Sequence, residues 1–362
     1  IADVHWGARP EREQTFGRIR EQEIKETFQR VIDHANKQQA DLLLIAGDLF
    51  DQPPTQQELR EVDYLLSRLN HTRTVLIAGN HDHLEPHDVF SQYKWNSEVY
   101  LLDGKQRDHI SFEDLETTIY GFSYWKNQIT KPLYDRMKPD ESESSDFSIL
   151  LAHGGDESHI PIQREALKWS GFDYIALGHI HKPMKVGSEL YRYCGTPLAC
   201  SVSEAQQQKG IIMVEMGVKG EIKTTILPLE PLRQVKVVKG TLEEVLKESC
   251  KDYVTVVLTD KADLDVIDMQ ECIRLAFPNL LEIRRENQRK TDYTRTLQTE
   301  ELLDPYELCC SFLKDLDEEE KMIFGIVRVG EKSLTYGGKN LREVKADFIQ
   351  KIEQETSPEP LS

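Results

Sequence analysis

The run DLLLIAGDLFD at residues 41–51 decides the fold. Leu42 to Ala46 form a short, continuous apolar run bounded by Asp41 and Gly47. Such a run reads as a strand buried within a sheet, with Gly47-Asp48 leaving its carboxyl end. Helical periodicity lies on both sides of it. Ile24, Phe28, Val31, Ile32 and Ala35 recur within 22–38, and Leu59, Val62, Leu65, Leu66 and Leu69 within 57–69. Further strands are predicted at 75–78, 118–122, 148–152, 174–177 and 211–216. Buried strands joined through helices define a layered α/β domain. Residues 84–115 and 126–146 carry little pattern and read as long insertions, the second ending in a mobile acidic loop at 140–146.

The texture changes near Pro228 and Pro231. Predicted elements at 234–238, 242–247, 253–258, 269–277 and 280–283 follow in β-α-β-α-β order, as a small second domain would. A basic stretch, Arg284, Arg285, Arg289, Lys290 and Arg295, then leads to Asp304-Pro305, which reads as a helix cap with proline in the first turn. The helix it opens would show Tyr306, Cys309, Leu313 and Leu316 on one face. An acidic cluster, Asp315 with 317–320, follows, and the proline-bearing end at 357–362 is expected to be disordered.

With 362 residues, the chain has room for two domains at about 150 residues each. A net charge of −18 excludes a general polyanion binder, so contact with nucleic acid needs a local basic patch or metal ions. No apolar run approaches the roughly 18 residues of a membrane span, so no membrane association is expected. No secretory leader is visible, and the first residues read like the end of a strand, so a few preceding residues are expected to be missing. Cys194, Cys200, Cys250, Cys272, Cys309 and Cys310 form no C-x-x-C pair. They suggest a reducing cytoplasm rather than a disulfide framework or a zinc–thiolate site.

Five short segments carry chemistry, each where an apolar run ends. They are Asp3-Val4-His5, Gly47-Asp48, Gly79-Asn80-His81-Asp82, His153-Gly154 and Gly178-His179-Ile180-His181. Residues i and i+2 of a strand point the same way, so Asp3 with His5, and His179 with His181, can aim at one point. Groups at the carboxyl ends of neighbouring strands converge on one crevice. Carboxylates, imidazoles and an amide without thiolate suit Mn²⁺, Fe²⁺ or Zn²⁺. Singly, D-x-H or G-D is an ordinary strand end or turn. All five in order point to a shared metal site.

This set resembles the calcineurin-like metallophosphoesterases, whose signature runs D-x-H, G-D, G-N-H, H and G-H-x-H. The resemblance covers roughly residues 1–228. Within that superfamily the chain is similar to the SbcD-type DNA repair exonucleases, through Asp3-Val4-His5-Trp6-Gly7, Gly47-Asp48-Leu49-Phe50-Asp51, Tyr193-Cys194-Gly195-Thr196-Pro197-Leu198, Ser203-Glu204 and Lys209-Gly210. Gln52 follows Asp51 where the protein phosphatases of the superfamily carry arginine, which argues against that branch. The fold implied is an α/β metallophosphoesterase four-layer sandwich, two mixed β-sheets flanked by helices, with a small α/β cap domain and C-terminal helices. Its divisions would be a nuclease domain at 1–228, a capping domain at 229–290, a linker and helical partner-docking segment at 291–330, and a C-terminal extension at 331–362.

The resemblance also implies roles. Asp3, His5, Asp48 and His181 would bind a first divalent ion, and Asp48, Asn80, His153 and His179 a second, with Asp48 bridging and Mn²⁺ the expected metal. His81 would be the general acid and Asp82 would orient it. Two cations about 3.5–4 Å apart can activate a bridging water and neutralise charge growing on phosphoryl oxygens. The role of Asp51 stays open, and His83 and His87 either approach the site or, the favoured reading, are exposed loop residues. Arg9, Arg12, Arg18 and Arg20, on an insertion after the first motif, and Lys126, Lys182, Lys185 and Arg192 are candidates for DNA contact. The implied activity is 3′-to-5′ exonuclease and single-strand endonuclease cleavage in DNA repair, with an SMC-like coiled-coil ATPase of the SbcC type and, commonly in the family, as a homodimer. A phosphodiesterase of small nucleotides, or a non-catalytic scaffold docked to an ATPase, are the alternatives.

Overall fold

Alternation along the strands builds the layers. The computed structural model describes residues 1–105, 107–140, 145–217, 221–260 and 266–286, with two short strands at 328–329 and 333–334. Helix α1 (Gly17–Gln38) leads to β1 (Leu42–Ala46), and α2 (Gln56–Leu66) to β2 (Arg73–Ile77). With β3 (Val99–Leu101) these strands form a three-stranded sheet in the order β1-β2-β3, parallel throughout. Leu43, Ile45 and Leu76 face α1 and α2, where they pack on Phe28, Ile32, Leu59 and Val62. Ala46, Val75 and Ile77 face the opposite way.

The second sheet is six-stranded and mixed. It comprises β4 (Asp108–Phe112), β5 (Thr117–Gly121), β6 (Phe147–His153), β7 (Tyr174–Gly178), β8 (Met184–Lys185) and β9 (Tyr191–Tyr193), in the order β4-β5-β6-β7-β9-β8. Its Ile119, Ile149, Leu151 and Tyr174 meet the inner face of the first sheet. Tyr120, Leu150, Ile175 and Leu177 turn outward to Tyr134, Phe172 and Leu167 of α3 (Arg164–Lys168). Helices, sheet, sheet and helix-bearing loops therefore make the four layers. Only one of the two sheets is mixed, because β1, β2 and β3 all run the same way. The region 84–115, read as patternless, contributes the short strands β3 and β4, whose few apolar positions conceal them. A cavity of about 500 Å³ opens between the sheets, its lining running from Leu42, Phe147 and Tyr174 to Ala46 and Leu177.

A hairpin, β10 (Gly210–Met216) with β11 (Ile222–Pro228), leads into the cap. There β12 (Val235–Gly240), α4 (Leu242–Leu246), β13 (Tyr253–Leu258), α5 (Val266–Ala276) and β14 (Leu280–Arg285) follow the predicted order as a parallel sheet. Val238, Val254 and Val256 pack under Ile273 of α5 and Phe277 just after it, while Val235 and Tyr253 pack on Phe16 ahead of α1.

Helix α1 begins earlier than predicted because its first turns are buried through polar side chains. Arg20 and Glu23 are 2% and 3% exposed. Tyr253 Oη donates to Glu23 Oε2 at 2.9 Å, Arg233 pairs with Glu23, and the Arg20 guanidinium lies 4.2 Å above the Tyr253 ring. Arg20 also donates to the carbonyls of Ala199 and Cys200 at 3.4 and 2.9 Å.

The chain divides into Ile1–Asn287 and Gln288–Ser362. Within the second unit, β15 (Arg328–Val329) pairs antiparallel with β16 (Ser333–Leu334). The predicted helix after Asp304-Pro305, the acidic cluster at 315–320 and the chain end lie outside the described residues, as does much of the acidic loop at 140–146.

Candidate metal centre

The five segments meet where β1, β2, β6 and β7 end. Asp48 follows β1, Asn80 and His81 follow β2, His153 closes β6, and His179 and His181 follow β7. Asp3 and His5 run alongside β1, the amide of Asp3 donating to the Gly47 carbonyl at 3.1 Å. The pairs do not converge by strand alternation, as expected from i and i+2 spacing. Asp3, His5, Asp48 and His179 have φ values of 54°, 52°, 50° and 93°, so the chain leaves extended structure and turns left-handed at each. Non-glycine residues rarely adopt this region, and such strain concentrates at functional sites. Close backbone approach completes the crevice. A Cβ on Gly79 would lie 2.2 Å from Asp48 Oδ1, and one on Gly178 2.0 Å from the Ala46 carbonyl oxygen.

Ligating atoms come together in overlapping groups, Asp3 with His5 and His181, His5 with Asp48 and His81, and Asp48 with His153 and His179, each within 4.8 Å. The back nitrogen of each imidazole faces an acceptor, which decides what the front nitrogen offers. His5 Nδ1 lies 3.1 Å from Asp51 Oδ1, His181 Nδ1 3.5 Å from Glu204 Oε1, His153 Nδ1 2.8 Å from the Ala46 carbonyl and His179 Nε2 2.7 Å from Asp156 Oδ2. With hydrogens held on those atoms, the opposite nitrogens present lone pairs. His5 Nε2 and His181 Nε2 face each other at 3.2 Å. His153 Nε2 faces Asp48 Oδ2 at 3.2 Å and Asn80 Oδ1 at 3.0 Å, and His179 Nδ1 faces Asn80 Oδ1 at 3.0 Å. Acceptors aimed at acceptors in a buried crevice need positive charge between them. The all-oxygen-and-nitrogen donor set therefore fits divalent metal ions.

Electrostatics agree. Burial alone would raise the Asp48 carboxyl, yet the charge and hydrogen bond of His153 and the charges of His5 and His81 carry it well below the usual carboxylate range. Burial alone would lower His5 and His153, but bonded and nearby carboxylates, Asp51 and Asp48 foremost, raise both. His179 is lowered by burial and by His153 despite Asp156. The carboxylates thus draw positive charge to His5, His153 and Asp48, while His179 is held toward its neutral form.

The side chain of Asp82 does not reach His81 as expected. It is fully buried, accepting from the amide of Gly79 at 2.6 Å on one oxygen and from that of Phe50 at 3.0 Å on the other, so it ties two ligand loops together. Burial and the Asp48 charge push its carboxyl well above the usual range. His81 is oriented by Asp51, whose backbone carbonyl takes its Nδ1 hydrogen at 2.9 Å. The His81 amide donates to Asp48 Oδ1 at 2.9 Å, and its ring, 45% exposed, stands 4.7 Å from that of His5. His83 Nδ1 bonds the Asn80 carbonyl at 3.1 Å, and His87 is exposed beside Gln92.

Sequence reasoning missed the residues behind the ligands. Glu204 and Lys209, quoted only for their resemblance, form a buried pair at 2.6 Å, and Lys209 Nζ also donates to the His181 carbonyl at 2.9 Å. Hydroxyls of Tyr134, Tyr124 and Tyr193 line the back of His153, bonding its amide, its carbonyl and the Gly154 carbonyl. Of the basic candidates, Arg20 is buried and engaged and cannot meet a ligand. Arg9 pairs with Glu21 at 3.2 Å, Lys185 and Arg192 both pair with Glu189, and Arg12, Arg18, Lys126 and Lys182 are exposed.

Mixed and parallel sheets in four layers, delivering this donor set to one edge, are the build of a metal-dependent phosphoester hydrolase. A family model described as calcineurin-like phosphoesterase matches residues 1–183, half of the chain, and the chain belongs to that family. A second model, described as the type 5 capsule protein repressor C-terminal domain, matches residues 229–316. Among curated relatives, the SbcD component of the nuclease SbcCD from Staphylococcus epidermidis is 26% identical over 284 residues, 68% of this chain and 75% of the relative. The protein of the same name from Staphylococcus saprophyticus is 27% identical over 252 residues, 60% and 66% of the two chains. No helix among the described residues is long and apolar enough to cross a membrane.

Proposed function

We propose that this phosphoesterase is a DNA nuclease of the 3′-to-5′ exonuclease and single-strand endonuclease type, using two divalent ions, Mn²⁺ first among them, and working with an SMC-like coiled-coil ATPase of the SbcC type. The observation that carries the reading is the convergence of acceptor atoms from all five segments on one buried crevice. The narrowing to DNA rests on the relatives, both named as components of a nuclease, and on the additional match at 229–316, which also supports a domain boundary at 228/229.

Asp3, His5, Asp48 and His181 would hold one ion, and Asp48, Asn80, His153 and His179 the other. When bound, such a pair supplies Lewis acidity and a neutral-pH nucleophile. The chain's own residues do the rest. Asp82 holds the two ligand loops in register. His81, with Nδ1 committed to the Asp51 carbonyl, offers Nε2 at the mouth of the crevice, where a general acid would hand its proton to the departing oxygen. Because the body is strongly acidic, the exposed Arg12, Arg18 and Lys182 are the favoured phosphate contacts, with Arg9 available if its ion pair with Glu21 opens.

The test compares end-labelled duplex, hairpin and single-stranded DNA with cyclic nucleotides, with Mn²⁺ and with EDTA. Cleavage of DNA alone, abolished by EDTA, is expected. Turnover of cyclic nucleotides without cleavage of DNA would replace the nuclease reading by a small-nucleotide phosphodiesterase.

A further inference from the structure

The loop leaving β6 reads Gly154-Gly155-Asp156-Glu157-Ser158-His159, and none of the roles above uses Asp156 or His159. Asp156 Oδ2 lies 2.7 Å from His179 Nε2 and 2.9 Å from His159 Nδ1. Asp156 Oδ1 accepts the amides of Ser158 and His159 at 2.7 and 2.9 Å, so the carboxylate is held from its own loop. The loop is itself anchored: Ile129 donates to the Ser158 carbonyl at 2.9 Å, and Ile160 to the Ile129 carbonyl at 2.6 Å. The rings of His159 and His179 stand 4.6 Å apart.

An imidazole can face a metal with one nitrogen only if the other holds the hydrogen. A carboxylate behind it fixes that choice and makes it a stronger donor. The two ion sites differ in this respect. Behind the first, His5 and His181 are backed by Asp51 and Glu204. Behind the second, His153 is backed by the neutral Ala46 carbonyl, which leaves Asp156 as the carboxylate behind that site's imidazoles among the described residues. The second site is also the poorer in its own charge, with Asp48 its single carboxylate beside Asn80, His153 and His179.

We infer that Asp156, braced by His159, is a positioning residue that holds His179 with Nδ1 toward Asn80 and sets the affinity of the second ion site. The inference rests on the two-ion reading above. Asp156 is 51% exposed, against 5% for Glu204, so it can be changed without opening the core.

The experiment is Mn²⁺ titration of the metal-stripped full chain, by calorimetry and by electron paramagnetic resonance of free Mn²⁺, with circular dichroism melts alongside. The parent protein should bind two ions with distinct affinities. Asp156→Asn should weaken the weaker site by about 10–100-fold and leave the tighter within about twofold, the range found when such partners are lost. Asp156→Glu should recover part of that loss, His159→Ala should cost a few-fold, and no melt should change appreciably. Unchanged affinities in Asp156→Asn, or loss at the tighter site or at both together, would overturn the assignment. So would a third ion that disappears with Asp156, since Asp156, His159 and His179 would then be ligands themselves. Fewer than two ions on the parent protein would instead overturn the two-ion reading, and the assignment with it.

Discussion

Lys209→Met should unseat the carboxylate that stands behind His181. Lys209 is 6% exposed, and its Nζ meets Glu204 Oε2 at 2.6 Å, Thr196 Oγ1 at 2.7 Å, and the His181 carbonyl and Gln207 Oε1 at 2.9 Å. Burial alone would raise the Glu204 carboxyl, but hydrogen bonds from His181 and Lys209 and the charge of Lys209 hold it down to about 2 from an ordinary 4.5. A displacement of that size represents on the order of 3 kcal/mol at neutral pH. Removing one partner of a buried pair costs about 3–5 kcal/mol, because the other charge is left without compensation. We therefore expect Lys209→Met to lose about 3–5 kcal/mol at pH 7 in urea denaturation. The sign of its pH dependence follows from the depressed carboxyl: the pair's contribution is full above about pH 4.5 and fades as pH falls toward 2, so the variant's deficit should shrink in acid. Glu204→Gln combined with Lys209→Met removes both charges and should recover most of the loss. A cost below about 1 kcal/mol, or simple additivity in the double variant, would show that the pair does not act as a buried unit.

Asp48→Ala removes the carboxylate shared by the two ligand groups, so elemental analysis should find far fewer than two ions per chain and no turnover; retention of both would remove Asp48 as the bridge. His81→Ala should keep its metal content and lose about 10²–10⁴-fold in rate, less with a substrate whose leaving group needs little protonation. Metal loss in that variant would make His81 a ligand, which its place near His5 and Asp48 makes a sharp test. Gly178→Ala would press a Cβ against the Ala46 carbonyl, backbone on backbone, and should destabilise by at least about 1–3 kcal/mol, as overpacking does; an unchanged melting temperature would mean that the strands part easily there.

The layers were legible because period-two alternation and continuous apolar runs coincide. Ile149 and Leu151 face one layer and Leu150 the next, so a single stretch of β6 shows both neighbours. The convergence of the five segments was legible because their residues sit at the ends of such runs. What stayed hidden depends on partners far away in the chain. Nothing local marks Arg20 as a residue that will meet Ala199, Cys200 and Tyr253, so the first turn of α1 falls within the stretch read as an insertion after the first motif. Asp82 adjoins His81 in sequence, yet its oxygens are taken by the backbone of Gly79 and Phe50. Asp156 and His159 sit three apart after a glycine pair, a faint local signal whose meaning depends on His179 arriving from another strand.

The clasp between α1 and the cap makes the molecule a mechanical linkage. Arg20 grips the carbonyls of Ala199 and Cys200, and the next residue, Ser201, donates to Glu204 Oε1 at 2.8 Å, the oxygen that faces His181. The same Arg20 lies against Tyr253 of the cap, which is tethered to Glu23 one turn along the helix. A force that displaces the cap must either snap these contacts or drag the 199–204 segment with it. In the second case the pull arrives, through two short links, at the carboxylate that faces the His181 imidazole. Load on the cap and the set of the His181 ring are thus joined by a rod only a few residues long.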